Sequence, residues 1–153
     1  MQADRFTVKS QEAVAAAQQL AATRRNPEIA PAHLLVALLE QPDGLVVPIL
    51  QKLGADTATI AARANEAVAA LPKLSDTAEE PRMSSALAQA LRRAENEMAS
   101  LGDEYISTEH LLLALTDSGA GLADILPDRD SLEKAVAEVR GPHKVTSPNP
   151  EDS

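Results

Sequence analysis

A ten-residue stretch occurs twice in this chain, and this repetition constrains the fold more than any other feature. Residues 29–38 and 106–115 pair at a constant offset of 77, and six of the ten paired positions are identical, where average composition predicts about one. Both copies place a histidine, His33 or His110, directly before a run of leucines. The sequence therefore predicts an internal duplication.

Each copy is expected to begin a short helix. In the second copy Ser107 is a suitable N-cap, and Glu109 lies in the first turn, where the helix dipole favours an anion. In the first copy Pro31 stands at the first helical position, where a missing N–H costs nothing. Leucines follow at i, i+1 and i+4 in both copies. Such a stripe is stable only when packed against another element, so these leucines are predicted to form the core.

Composition favours an all-α fold. The 153 residues include one phenylalanine, one tyrosine and no tryptophan, and an interior of alanine and leucine is typical of closely packed helices. We predict two pseudo-twofold-related four-helix repeats packed into one eight-helix domain. The predicted helices cover about 7–25, 31–40, 45–53, 56–71, 84–101, 107–115, a short segment ending at Leu126, and 131–140.

The proline-rich and polar stretches predict the organisation of the chain. The first repeat is predicted at 1–71, a connector at 72–82, the second repeat at 83–141 and a flexible linker at 142–153, with a further module expected after it. The helices 7–25 and 84–101 are alanine-rich, so the line where they meet is expected to be shallow and apolar. That line is either a binding groove for an apolar segment or closed core.

Charge and cysteine content exclude several classes of function. The formal charge is −9, which repels phosphate backbones, and bases would find almost no aromatic rings to stack on. Nucleic acid is therefore not an expected partner. The apolar runs are too short to span a bilayer, so no membrane association is expected. The absence of cysteine excludes disulfides and thiolate sites, and a cytoplasmic location fits best.

Motifs for catalysis are absent from the sequence. There is neither a nucleophile elbow nor a phosphate-binding glycine loop, so the chain is not expected to be an enzyme or to bind a cofactor. The repeated histidines with Glu109 suggest a zinc site for metal-dependent hydrolysis as an alternative, which would require stoichiometric zinc. A structural role for both histidines is favoured, because Ala32 replaces the glutamate in the first copy.

Over about residues 3–141 the chain resembles the double Clp repeat of Clp-type AAA+ chaperones, and most of all the N-domains of ClpB-type disaggregases. The tail at 145–152 is similar to the segment that leads into their first ATPase module. The resemblance is carried by Phe6-Thr7, residues 17–20, residues 31–39, Leu53-Gly54 and residues 102–113.

The resemblance implies a mobile N-domain of a stress-response, heat-shock chaperone. Such a domain captures unfolded or aggregated polypeptide weakly and passes it to a homohexameric threading ring, which needs ATP and Mg²⁺ outside this chain. The isolated domain is expected to be a monomer. By position, the resemblance implies three polar contact residues, Thr7, Asp103 and Glu109. It also implies apolar groove residues, first Leu91 and then Phe6, Val14, Met83 and Met98.

The alternative is an adaptor-docking or regulatory module of a ClpC- or ClpA-like unfoldase, which would recognise folded adaptor proteins or phosphoarginine-tagged substrates. In the ClpC branch a glutamate before each repeat histidine helps to recognise phosphoarginine. Here Ala32 occupies the first of these positions and Glu109 the second. A two-site phosphoarginine mode is therefore disfavoured, and one pocket remains open as an alternative.

Overall fold

The computed structural model describes residues 5–75 and 80–150. Within these ranges it contains seven α-helices, one short 3₁₀ helix and two strands of two residues each, so the all-α prediction is confirmed. In chain order the elements are α1 (Val8–Thr23), β1 (Glu28–Ile29), α2 (Pro31–Glu40), α3 (Val46–Lys52), α4 (Thr57–Ala69), β2 (Arg82–Met83), α5 (Ser85–Ser100), α6 (Thr108–Ala114), the 3₁₀ helix (Ser118–Ala120) and α7 (Arg129–Arg140).

Equivalent residues begin the first helix of each half. The Oγ1 atom of Thr7 accepts a hydrogen bond from the Ser10 N–H at 3.2 Å, and the Oγ atom of Ser84 accepts one from the Leu87 N–H at 3.0 Å. Thr7 and Ser84 are related by the repeat offset of 77. A hydroxyl at this position satisfies one of the free N–H groups of the first turn, so both helices start at the residues that the sequence predicted.

The two halves meet through reciprocal backbone pairing. Strands β1 and β2 are parallel, with Ile29 opposite Met83, and an isolated parallel bridge places Phe6 opposite Ile106. The offset of 77 converts Phe6 into Met83 and Ile29 into Ile106. Each half therefore pairs with the other through residues at the same two repeat positions. A twofold relation between the halves generates this pattern.

The buried side chains form one core that extends through both repeats. The six stripe leucines are at most 1% exposed, as the periodicity predicted. Helix α2 packs on α1 and α4, helix α6 packs on α5, and α7 packs on α3. At about 1.5 to 3 kcal/mol for each buried leucine, these stripes supply much of the folding free energy. The stripe residues are Leu34, Leu35, Leu38, Leu111, Leu112 and Leu115.

The second half departs from the predicted pattern after α6. The short helix expected to end at Leu126 is the 3₁₀ helix followed by a single hydrogen-bonded turn, in which the Leu126 N–H donates to the Leu122 carbonyl at 3.0 Å. Gly121 has a φ of +75° and interrupts the helical backbone, while Pro127 cannot continue it. The predicted helical content at this point is therefore too high.

The segment predicted as a flexible linker is hydrogen-bonded to the domain as far as it is described. The Val8 N–H donates to the Pro148 carbonyl at 2.8 Å, and the Glu104 N–H donates to the Val145 carbonyl at 2.8 Å. Val145 is buried. The domain boundaries remain predictions, and part of the connector, 76–79, lies outside the described residues. None of the described helices combines the length and apolarity needed to cross a membrane.

Candidate functional site: the groove between α1 and α5

An apolar groove of about 490 Å³ lies between the first helices of the two halves. We call it the α1–α5 groove. Ala15 and Ala88 contribute only a methyl group each, so the protein's own side chains leave the space open. Leu91, 6% exposed, is one of its most deeply set residues, whereas Met83 is 45% exposed at its surface. The lining residues are Phe6, Gln11, Val14, Ala15, Gln18, Met83, Ala88, Leu91 and Arg92.

Four of the apolar residues implied by the family resemblance come together in this groove, namely Phe6, Val14, Met83 and Leu91. Met98 does not line it. Met98 is buried, and its sulfur accepts a contact from an Arg5 guanidinium nitrogen at 3.7 Å. Four of the five predicted apolar residues therefore line one solvent-accessible groove.

Several groove residues were missed from the sequence. Gln11, Ala15 and Gln18 on α1 share the groove with Val14. These four follow the i, i+3, i+4, i+7 spacing of one helical face. That spacing is visible in the sequence, but two glutamines and an alanine do not mark a face as a binding surface. Arg92 on α5 was missed for the same reason, since charged helix residues usually face solvent.

The polar candidates lie elsewhere. Thr7 is fully buried as the N-cap of α1. Asp103 is also buried, with its two carboxylate oxygens accepting from four donors. The Oδ1 atom accepts from Arg140 at 2.6 Å and from the Val145 N–H at 2.9 Å. The Oδ2 atom accepts from Arg140 at 2.9 Å and faces His110 Nε2 at 2.6 Å.

These contacts set the charge state of Asp103. Burial by itself would raise the pKa of this carboxyl group. The hydrogen bonds from Arg140, from the Val145 N–H and from His110, with the positive charge of Arg140, outweigh burial and hold the pKa below its ordinary value. Asp103 is therefore an internal anion that joins the start of α6, the end of α7 and the C-terminal segment.

The repeated histidines have the structural role that the sequence favoured. The Ser107 N–H donates to His110 Nδ1 at 2.8 Å, and the Ala30 N–H donates to His33 Nδ1 at 2.8 Å. Because each Nδ1 is an acceptor, the ring proton lies on Nε2. The Nε2 atom of His33 faces Asn26 Oδ1 at 2.8 Å. Both nitrogens of each ring are therefore engaged within the protein.

Asn26 and Asp103 are equivalent residues, separated by the offset of 77. Each pairs with the histidine of its own repeat, and each also holds the chain that leaves that repeat. In the first repeat the Asn26 amide donates to the Pro72 carbonyl at 2.9 Å. In the second repeat the Asp103 carboxylate accepts from the Val145 N–H. Within the described residues, no group of three histidine, cysteine or acidic side chains is arranged to hold a metal ion.

Glu109 is buried against Arg140, with Oε2 at 3.6 Å from the Arg140 Nε atom. Its Oε1 atom has no hydrogen-bond partner among the described residues. Glu109 lines a separate cavity of about 300 Å³ together with Val145 and Pro150 of the C-terminal segment. Contact of Thr7, Asp103 and Glu109 with substrate therefore remains a prediction, and none of the three lines the α1–α5 groove.

A duplicated helical unit, reciprocal pairing between its two copies and a groove between their first helices define a class of all-α, two-repeat domains. The model of the Clp repeat (R) N-terminal domain family matches residues 5–128, and the chain belongs to this family. This confirms the resemblance found in the sequence. The matched model is that of the N-terminal domain, and the sequence contains no phosphate-binding glycine loop.

Known relatives agree with this assignment. The chain is 39% identical over 149 residues to chaperone protein ClpB of Mycobacterium tuberculosis, which covers 95% of this chain and 18% of that protein. It is 41% identical over 150 residues to ClpB of Corynebacterium efficiens, with the same two coverages, 95% and 18%. The chain therefore spans less than a fifth of the length of these relatives.

Solved structures share the fold. The N-terminal domain of Hsp104 from Candida albicans superposes with a TM-score of 0.81 at 22% identity, covering 94% of this chain and 96% of that one. A ClpV N-domain in complex with a VipB peptide superposes with a TM-score of 0.68 at 22% identity, covering 88% and 86%. At these identities the comparison establishes the fold alone.

Proposed function

We propose that this domain captures exposed apolar segments of unfolded or aggregated polypeptide in the α1–α5 groove, as the N-domain of a ClpB-type disaggregase. Delivery of the segment to a hexameric, ATP-driven threading ring in the cytoplasm is part of the same proposal. The observation that carries it is an open apolar groove that the protein's own side chains leave unfilled. The similarity to ClpB chaperones supports the choice of substrate class.

The chemistry of the groove suits irregular ligands. Phe6, Val14 and Leu91 provide apolar surface without a fixed pattern of hydrogen-bond donors, so burial of apolar area supplies the binding energy. Met83 is unbranched and flexible, and it adapts its shape to different side chains. A groove of this size is expected to give about −4 to −7 kcal/mol, which corresponds to millimolar to roughly ten-micromolar dissociation constants. Weak binding permits release to a downstream module.

The proposal is tested by titrating ¹⁵N-labelled domain with reduced, carboxymethylated α-lactalbumin, which cannot fold. We expect chemical-shift changes at the groove residues, and we expect Met83→Ser to weaken binding about fivefold through loss of apolar contact. Leu74→Ser is the matched control, because Leu74 is 36% exposed and does not line the groove. Leu91 is a poorer probe, since its side chain is also part of the core.

An absence of shift changes at millimolar polypeptide would refute the proposal. Equal weakening by Met83→Ser and Leu74→Ser would show that binding depends on general surface hydrophobicity. Circular dichroism of both variants checks that the fold is intact.

The second candidate is docking of a folded adaptor or partner protein. It is favoured by one observation, the solved complex of a similar ClpV N-domain with a VipB peptide. The two functions differ in what they require of the ligand. Native α-lactalbumin, which exposes little apolar chain, is expected not to bind if the domain captures unfolded polypeptide. If the domain does not bind unfolded α-lactalbumin but binds one folded protein from a mixture, the result would favour adaptor docking.

A further inference from the structure

The lining of the α1–α5 groove is nearly symmetric. Eight of its nine residues form four pairs, and in each pair the second residue is the first one advanced by the repeat offset of 77. The pairs are Phe6 with Met83, Gln11 with Ala88, Val14 with Leu91, and Ala15 with Arg92. The groove therefore lies on the pseudo-twofold axis of the domain.

The backbone beside the groove has the same symmetry. The Thr7 N–H donates to the Ile106 carbonyl at 3.0 Å, and its equivalent, the Ser84 N–H, donates to the Ile29 carbonyl at 3.1 Å. These bonds fix the starts of α1 and α5 in matching positions. The symmetry of the lining is thus a property of the scaffold as well as of the residue list.

This symmetry has a consequence for a bound peptide. The groove is open to solvent on one side only. A twofold rotation superposes such a groove on itself only if the axis runs from the floor of the groove out through its opening. Rotation by 180° about such an axis reverses the direction of any chain that lies across it. The apolar pairs Phe6 with Met83 and Val14 with Leu91 then present similar surface to a peptide running either way.

Two pairs differ in chemistry, Gln11 with Ala88 and Arg92 with Ala15, and Arg92 adds a charge to one side only. It is the one charged residue in the lining, and within the described ranges 5–75 and 80–150 it makes no ion pair with another side chain. The chain as a whole has a formal charge of −9, yet the charge in the lining is positive. The charge of Arg92 is complementary to a carboxylate at one end of a bound segment.

We propose that the groove binds an extended apolar segment in both chain directions with similar affinity, and that Arg92 selects one direction only when the segment carries a carboxylate near one end. This inference rests on the proposed function. A capture domain of this kind would accept a strand from an aggregate regardless of which terminus is accessible.

Paramagnetic relaxation enhancement tests the inference. The ligand is a ten-residue apolar peptide of palindromic sequence, capped at both ends and extended by a nitroxide-labelled cysteine at one end. The domain contains no cysteine, so the label stays on the peptide. The readout is the broadening of the Phe6 and Met83 amide signals, which the pseudo-twofold axis exchanges. Binding in both directions is expected to broaden the two signals equally.

An aspartate placed next to the label is then expected to make the broadening unequal by about threefold, the size expected for an exposed ion pair. Arg92→Gln should restore equal broadening. Arg63→Gln is the control, because Arg63 is a half-exposed cation on α4 that does not line the groove. It should leave the inequality unchanged.

The outcomes separate the two proposals. Strongly unequal broadening with the uncharged peptide would overturn bidirectional binding while supporting capture in the groove. Persistence of the aspartate effect in Arg92→Gln would overturn the role of Arg92. A failure of both the peptide and unfolded α-lactalbumin to shift any groove signal would refute the proposed function itself.

Discussion

Replacing Asp103 by asparagine tests whether the buried carboxylate acts as a structural anchor. Asparagine keeps the shape of the side chain but removes its charge, and it turns one acceptor into an N–H donor. The carboxylate now accepts from Arg140, His110 and the Val145 N–H. In Asp103→Asn at least one of these donors would face another donor, and Arg140 would lose its bidentate partner.

The expected loss of stability follows from burial. The side chains of Asp103 and Arg140 are 0% and 9% exposed. Removing one partner of a buried ion pair costs about 3 to 5 kcal/mol, because the remaining charge is left uncompensated. Glu109 lies near Arg140 and offsets part of this loss, so we expect about 3 kcal/mol. That is a large share of the roughly 5 to 15 kcal/mol that stabilises a typical domain.

The assay is urea unfolding followed by circular dichroism at pH 7. Glu104→Gln is the matched control, since Glu104 is the exposed neighbouring acid, and a change within about 0.5 kcal/mol is expected there. A loss below about 1 kcal/mol in Asp103→Asn would refute the anchor role. The same variant should free the C-terminal segment, seen as faster amide exchange at Val145.

The pH dependence provides an independent check. Because the folded pKa of Asp103 is depressed, the folded state binds this proton less readily than the unfolded state does. The stabilisation is therefore complete above the unfolded value of about 3.9 and is lost as pH falls through the folded pKa. The free energies of unfolding of wild type and Asp103→Asn should therefore begin to converge as the pH falls below about 4. A constant difference down to pH 2.5 would contradict the depressed pKa.

Two further predictions concern the core and the first repeat. Leu112→Ala should lower the free energy of unfolding by about 2 to 5 kcal/mol through lost burial and a cavity, whereas Leu74→Ala should change it by less than about 0.5 kcal/mol; equal effects in urea unfolding would show that Leu112 is not core. Burial, with the nearby charge of Arg24, lowers the pKa of His33 below 6.5, so protonation of the unfolded state should reduce stability from pH 7 to pH 5. The difference in unfolding free energy between wild type and His33→Gln should become smaller from pH 7 to pH 5. A difference that stays constant over this range would contradict the lowered pKa.

Much of the fold was predictable because its signals are local. A capping hydroxyl such as Ser84 and the leucine spacing around Leu112 act within one or two helical turns, so they are visible in a short window. The duplication needed only a comparison of the chain with itself. From it the sequence predicted the pseudo-twofold relation. The pairing of Phe6 with Ile106 and of Met83 with Ile29 confirms it.

The candidate site was predictable in part. Phe6, Val14, Met83 and Leu91 were named from the family resemblance and line one groove. The sequence left open whether the line between α1 and α5 is a groove or closed core. That depends on whether side chains from both helices fill the same space, and the small methyl groups of residues 15 and 88 leave it open.

By itself, the sequence determined the all-α class, the two repeats, the helix starts and the stripe leucines, because spacing along one helix decides which residues share a face. Only the tertiary structure decided that Asp103 is an internal anion and that the 143–150 segment lies against the domain. Arg140 is 37 positions from Asp103 in the chain. No local pattern encodes such a pair, since it exists only after α7 has packed beside α6 and brought the two charges together.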